Sequence, residues 1–289
     1  MKHEPIGVLR RLTTCNALTI DVEDYFQVSA MEPHIARSEW DARECRIEQN
    51  VERILRMLED YGARATFFTL GWVAERYPQL MRRIVDKGHE LASHGFAHKR
   101  ATEQNPQAFF SDIQLAKVLL EDVSGVEVRG YRAPSFSIAD GNKAWAWECI
   151  ERAGYRYSSS IYPIRHDHYG LPDAPRFIHD VRDGLAEVPV TTLRLLGRNW
   201  PAGGGGYFRL MPYAMSRWAL RRVNRIDRQP AIFYFHPWEI DAAQPRVPGI
   251  DAKTRFRHYT NLDRMERRLR KLLFDFEWGR MDEIVLEAV

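Results

Sequence analysis

Apolar residues recur along the chain in two alternating patterns. Residues 17–22 (ALTIDV) form a short apolar run ending in acids, which predicts a buried strand that opens into a loop at its carboxyl end. Residues 48–61 place Val51, Ile54, Leu55 and Leu58 at helical spacing, with Gly62 as the cap. Residues 65–69 (ATFFT) read as the next buried strand, 72–87 as a helix closed by Gly88, and 90–93 as a strand again ending in polar residues. A helix follows over 106–123, with Phe109, Phe110, Ile113, Ala116 and Leu120 on one side, then a strand over 126–131, a helix over 143–152 and a strand over 157–160. Further strands are predicted over 186–190 and 232–235, with a helix over 213–223 between them. Repeated strand–helix units imply an α/β fold whose parallel sheet is covered by helices. No fixed-period repeat or low-complexity linker interrupts the pattern. The chain therefore reads as one domain over 1–289, with a core at about 17–240, a long irregular insertion over 162–211 and a C-terminal extension over 241–289.

Composition changes this picture little. The 289 residues are 45% hydrophobic and 28% charged, an ordinary globular balance and long enough to bury a large core. Lys and Arg total 42 against 39 Asp and Glu, a net charge of +3, which argues against a dedicated nucleic-acid binder. Three cysteines with no CxxC are neither a zinc knuckle nor a disulfide framework, and they fit a reducing compartment. No apolar run of about 18 residues is present, so no membrane span is expected. The stretch 1–14 is mixed and charged and lacks an apolar signal core, which leads to the expectation of a soluble, cytoplasmic protein. The helical pattern over 262–276 packs Leu262, Met265, Leu269, Leu272, Leu273 and Phe276, with arginines elsewhere. A solvated basic face is preferred there to contact with anionic lipid.

Chemistry gathers at the predicted strand ends. Asp21, Glu23 and Asp24 follow the first strand, His94 and His98 the third, Arg132 the fourth and His236 the last. In parallel α/β folds the carboxyl ends of strands carry the site, so these residues are expected to converge. His94 and His98 stand at i, i+4 in SHGFAH; if that segment turns as a helix, both rings face one metal. A carboxylate of DVED, Glu23 or Asp24, supplies a third ligand and leaves positions open for water and substrate. Asp21 stays free to act as general base on a water held there. Arg132 in GYRAPSF would hold that carboxylate ionised and oriented, while Pro134 stiffens the backbone so that an N–H near Ser135 points at an oxyanion. His236 in FYFHPWEI would protonate the leaving group, and Trp238 beside it could stack on a sugar ring. Tyr207, Phe208 and Arg209 follow GGGG at 203–206, which is no phosphate loop because no GK[ST] follows, and could close over a substrate.

Together these residues resemble the polysaccharide deacetylases of the NodB-homology type. DVED is similar to the motif that carries a base and a metal-binding acid, SHGFAH to the His-x-x-x-His metal motif, GYRAPS to the Arg-x-Pro motif and FYFHP to the strand with the catalytic histidine. ATFFTLGWVAERYP and KGHELASHG also resemble this family, and the likeness runs over about 17–239. LTIDVEDYFQVSA, SSSIYPIRHDHYG, GGGGYFRL and FRHYTNL resemble a subgroup linked to exosortase-associated exopolysaccharide loci. The resemblance implies a distorted (β/α) barrel with fewer than eight regular units. It also implies metal-dependent removal of acetyl from an N-acetylated glycan, with zinc first and cobalt, manganese or nickel as alternatives. Three positions depart from the family pattern: Val22 follows Asp21 where a second acid is usual, Ser135 replaces an aromatic, and the acid that orients the histidine is not obvious, Glu187 and Asp183 being candidates. Two other functions compete: hydrolysis of a small cyclic amide or ureide at the same site, and metal-free glycan binding without turnover. The oligomeric state is not legible.

Overall fold

The computed structural model describes residues 14–166 and 170–286. The stretch 1–13 and three residues of SSSIYPIRHDHYG (Asp167, His168 and Tyr169) lie outside the described residues. Eleven strands are present among them: β1 Asn16–Val22, β2 Thr66–Thr69, β3 Glu90–Ser93, β4 Gly130–Tyr131, β5 Tyr157–Ser158, β6 His179–Arg182, β7 Leu185–Glu187, β8 Thr192–Leu195, β9 Arg198–Pro201, β10 Ile232–Phe235 and β11 Trp278–Gly279. The helices are α1 Ile47–Asp60, α2 Gly71–Arg76, α3 Pro78–Asp86, α4 Pro106–Ser124, α5 Lys143–Arg152, α6 Gly205–Leu210, α7 Tyr213–Arg222, α8 Ala252–Tyr259, α9 Leu262–Asp275 and α10 Met281–Leu286.

The main sheet runs β10-β1-β2-β3-β4-β5-β7-β6, with β11 paired to the start of β1; every pair is parallel except β6–β7. Residues alternate between its two faces, as a two-residue period requires. Leu18, Ile20 and Val22 pack outward in the large core with α1, α3, α4 and α9, while Ala17 faces inward with Phe68, Ala92, Tyr157 and Ile232. Asp21 ends the inward row of Ala17 and Thr19. The open side between β7 and β10 is spanned without a regular strand. Thr191 N–H donates to Ile232 O, the Thr191 hydroxyl accepts from Ile232 N–H, and Gly203 O accepts from Tyr234 N–H. The result is a curled half-barrel with both faces buried.

Four departures from the predicted elements have local causes. The helix expected over 72–87 is two helices, because Pro78 lacks an N–H and takes the first position of α3. The strand expected over 126–131 is only Gly130–Tyr131, because α4 side chains occupy the earlier backbone: Glu121 accepts from Val128 N–H and Lys117 donates to Val128 O. The strand expected over 157–160 stops at Ser158, because Glu187 takes the N–H groups of Ser160 and Ile161. The insertion is also less irregular than its composition implies, since it contains β6 and the hairpin β8–β9.

Candidate active site

Asp21, Arg132, His94, His98, Glu23 and His236 converge at the carboxyl ends of β1, β3, β4 and β10. Arg132 is wholly buried, and each of its three guanidinium nitrogens donates. It donates to Asp21 Oδ1 at 2.6 Å, to the Thr19 hydroxyl, and to the carbonyl and hydroxyl of Ser159, and its guanidinium lies 4.1 Å over the Phe68 ring. A charge this deep is tolerated only with a partner; removing either member costs about 3–5 kcal/mol. The bond fixes one Asp21 oxygen and leaves Oδ2 directed toward His236 Nε2, 4.0 Å away.

Glu23, His94 and His98 each offer a ligand atom, all within 4.8 Å of one another and buried. The two histidines meet through a loop and not along a helix face, as the i, i+4 spacing had led one to expect. Gly95 and His98 both adopt positive φ (74° and 52°), and the rings close to 5.3 Å. The loop is held by α2, whose Gly71 and Trp72 N–H groups donate to Gly95 O and Phe96 O, by Asp112 accepting from Phe96 N–H, and by Arg37 on the carbonyls of Ala97 and His98.

The donor set fits a divalent cation. His94 Nδ1 lies 2.8 Å from Arg132 O, and a carbonyl only accepts, so Nδ1 carries the proton and the Nε2 lone pair is free to face the cluster. Burial, aided by the neighbouring His98 against the pull of Asp21 and Glu23, holds His94 down at about 4 and thus neutral. Glu23 is held ionised, at about 2, because His98 and His236 outweigh the cost of its burial. Its Oε2 is 2.7 Å from His98 Nε2 yet has no aligned hydrogen-bond donor. A buried carboxylate oxygen facing imidazoles without a donor is what a shared cation would satisfy.

His236 sits on the other side of the carboxylates, its Nε2 3.2 Å from Glu23 Oε1. Its Nδ1 bonds Glu239 Oε1 at 2.8 Å, so that nitrogen is protonated, and Glu239 is fixed by Arg209 at 2.7 Å. Burial opposes a charge on His236, but Glu239, Glu23 and Asp21 outweigh it and raise the group to about 9. Glu239 itself is held at about 2, the Arg209 charge and the His236 bond overcoming desolvation.

Neither acid proposed from sequence orients His236. Glu187 instead accepts from the N–H groups of Ser160 and Ile161, and Asp183 is exposed in the turn between β6 and β7. Glu239 was missed, although its spacing is a signal. It stands three residues after His236 with Pro237 between, and its side chain accepts from His236 N–H as in a capping box. Gly205 makes room for it, since a Cβ there would overlap the Glu239 carboxylate.

Other candidates lie elsewhere. Asp24 is turned from the histidines: its oxygens accept from Tyr25 N–H and Arg46 N–H, and burial raises it to about 6. Phe208 is core, against Phe233 and Tyr213. Arg209 is buried on Glu239 and on the carbonyls of Arg257, His258 and Thr260, so it holds the site from behind. Trp238 is likewise buried, stacked between His236 and His258 at centroid distances of 5.3 and 4.1 Å, with no face open to a sugar. Tyr207 is half-buried against Phe136, Tyr162 and Tyr234. Pro134 is buried, and Ser135 at φ 55° stands partly exposed with its hydroxyl 2.5 Å from that of Ser29. The aromatic expected at Ser135 is present one residue on, as Phe136.

Comparison with known proteins bears on both halves of the sheet. Residues 37–158 match the family described as polysaccharide deacetylase, and residues 159–286 match a domain of unknown function, DUF3473. The chain is 29% identical over 96 residues to a Bacillus cereus peptidoglycan-N-acetylglucosamine deacetylase, covering 33% of this chain and 35% of that one. It is 30% identical over 119 residues to a Helicobacter pylori peptidoglycan deacetylase, covering 39% and 38%. The chain thus spans about a third of the length of these curated relatives. A solved structure from Mycobacterium smegmatis, provisionally described as a polysaccharide deacetylase, superposes with a TM-score of 0.60 at 20% identity, covering 99% of this chain and 94% of that one. The two chains therefore share one fold.

Proposed function

We propose, from the premise that residues 37–158 are of the polysaccharide deacetylase family, that this chain is a hydrolase that cleaves the N-acetyl amide of N-acetylated sugars in a glycan. The observation that carries the reading is the pairing of two kinds of buried carboxylate. Asp21 is clamped by Arg132 with one oxygen free, and Glu23 is aimed with His94 and His98 at a common point.

Glu23, His94 and His98 would hold a divalent cation, zinc being the first choice for two imidazoles and a carboxylate; when bound, it supplies Lewis-acid polarisation of the amide carbonyl. Asp21 Oδ2 takes a proton from water as the water oxygen bonds to the amide carbon. Arg132 keeps Asp21 oriented and transfers no proton itself. His236, charged at neutral pH and steadied through Nδ1 by Glu239, gives its Nε2 proton to the amide nitrogen as the C–N bond breaks. Acetate and a free amino sugar result. Placement in exopolysaccharide synthesis rests on the likeness of LTIDVEDYFQVSA, GGGGYFRL and FRHYTNL to the exosortase-linked subgroup and is part of this proposal.

The test is acetate release from N-acetylhexosamine oligomers, with a cyclic ureide as the competing substrate, in the presence of zinc or cobalt. Asp21→Asn is expected to retain the metal and lose about 10²–10⁴-fold in turnover. Full activity in that variant, or turnover of the ureide alone, overturns the reading.

A further inference from the structure

We propose that the β8–β9 hairpin and helix α7 form a surface that docks on an anionic lipid bilayer. The proposal is independent of the deacetylase reading.

The hairpin is a separate two-stranded sheet, fastened to the body where Leu193 and Ala202 pack on Ala219 of α7. Leu195 pairs with Arg198, so the turn is the two residues Leu196 and Gly197, both at positive φ (49° and 73°). Such turns favour Asn-Gly, because a branched apolar side chain is strained there. This one carries a leucine that is also 97% exposed. Local backbone preference and solvation both disfavour the residue, which is a mark of a contact made outside the chain. Trp200 lies on the same hairpin face as Leu193 and is half-exposed; Met215 and Trp218, one helical turn apart on α7, are half-exposed beside the buried Ala219.

Charge selects the partner. Residues 192–228 hold eight arginines, no lysine and one acid, Asp227, a net charge of +7 in a chain whose total is +3. The rest of the molecule is therefore net negative. Asp227 is already paired with Arg176; Arg209 is buried on Glu239 and Arg217 and Arg221 face Asp275, which leaves Arg194, Arg198, Arg222, Arg225 and Arg228 as the exposed cations. An exposed leucine at the turn, half-exposed tryptophans and exposed arginines are the residue types that a bilayer surface takes, where apolar groups enter the acyl boundary and cations meet phosphates. A duplex held through its phosphates alone would leave the exposed leucine and tryptophans in water.

The experiment is co-sedimentation of the full chain with vesicles of phosphatidylcholine alone and with vesicles half phosphatidylglycerol. Binding is expected on the anionic vesicles only, and it should vanish at about 1 M salt, where screening is within about 3 Å. Leu196→Asn suits the turn better than leucine, so the thermal midpoint should hold or rise while the partition coefficient falls about tenfold. Replacing Arg222 and Arg225 by Ser should weaken binding about tenfold or more. Failure of the wild type to bind anionic vesicles at low salt overturns the proposal. So does equal binding by Leu196→Asn, as does capture by duplex DNA in place of vesicles.

Discussion

The two ends of the sheet treat buried carboxylates in opposite ways. At the amino ends, Glu90 is enclosed as deeply as Glu23, but every oxygen meets a donor. Oε1 accepts from the Tyr157 hydroxyl at 2.8 Å, and Oε2 from the Thr66 hydroxyl at 2.6 Å and from Asp282 N–H at 3.1 Å. Asp282 is in turn gripped by Arg280, and α10 closes that end. At the carboxyl ends, Glu23 Oε2 meets imidazole nitrogens and no aligned donor. A buried acid alone therefore does not mark a site. What marks one is lone pairs from separate strands left directed at one point.

The largest expected effect breaks the carboxyl end. Glu23→Gln should lower bound-metal stoichiometry and reduce deacetylation by about 10³-fold, whereas Asp24→Asn, one residue on, should leave the stoichiometry unchanged. Metal analysis of both purified variants decides it; equal loss in the two would restore Asp24 as a ligand. A smaller effect is expected at Glu239. Glu239→Gln keeps the shape but removes the charge that steadies His236, and kcat should fall about 10–100-fold with KM little changed. Steady-state kinetics would read a KM effect instead if Glu239 merely shaped the groove.

The smallest effect sharpens the amino end. Burial, with Asp282 adding to it, raises Glu90 from 4.5 to about 8. A raised carboxyl binds its proton more tightly folded than unfolded. Its favourable contribution is thus present below about 4.5 and is lost as pH climbs to about 8. Glu90→Gln should raise stability by about 1–2 kcal/mol at pH 8 and change it little at pH 5. Denaturant titrations at the two values check this, and a variant destabilised at pH 8 would mean that the charged form is the one the fold prefers.

Much of the site was legible because its residues end apolar runs. ALTIDV, ELAS and IFYF are buried strands whose last residues turn polar, and the fold places Asp21, His94 and His236 together for that reason. The choice between Glu23 and Asp24 was not legible, because it depends on a tight turn in which Glu23 N–H bonds Asp21 O and Asp24 is drawn off by Arg46. Arg209 was misread for a similar reason. An arginine after a glycine run looks exposed, yet its partners, Glu239 and three carbonyls beyond residue 256, are far away in sequence. The β6 and β8–β9 strands were hidden because their burial is weak and their residues are charged or aromatic.

The juncture between the two family matches, at 158 and 159, falls between β5 and β7, which pair with each other in one sheet. The first segment brings His94, His98 and Arg132, the stretch before it Asp21 and Glu23, and the second segment His236, Glu239 and Arg209. Neither matched segment alone holds the whole cluster. In the proposed reaction, a gene cut there would leave the proton acceptor on one side and the proton donor on the other, and the segment described only as of unknown function would carry half of that pair.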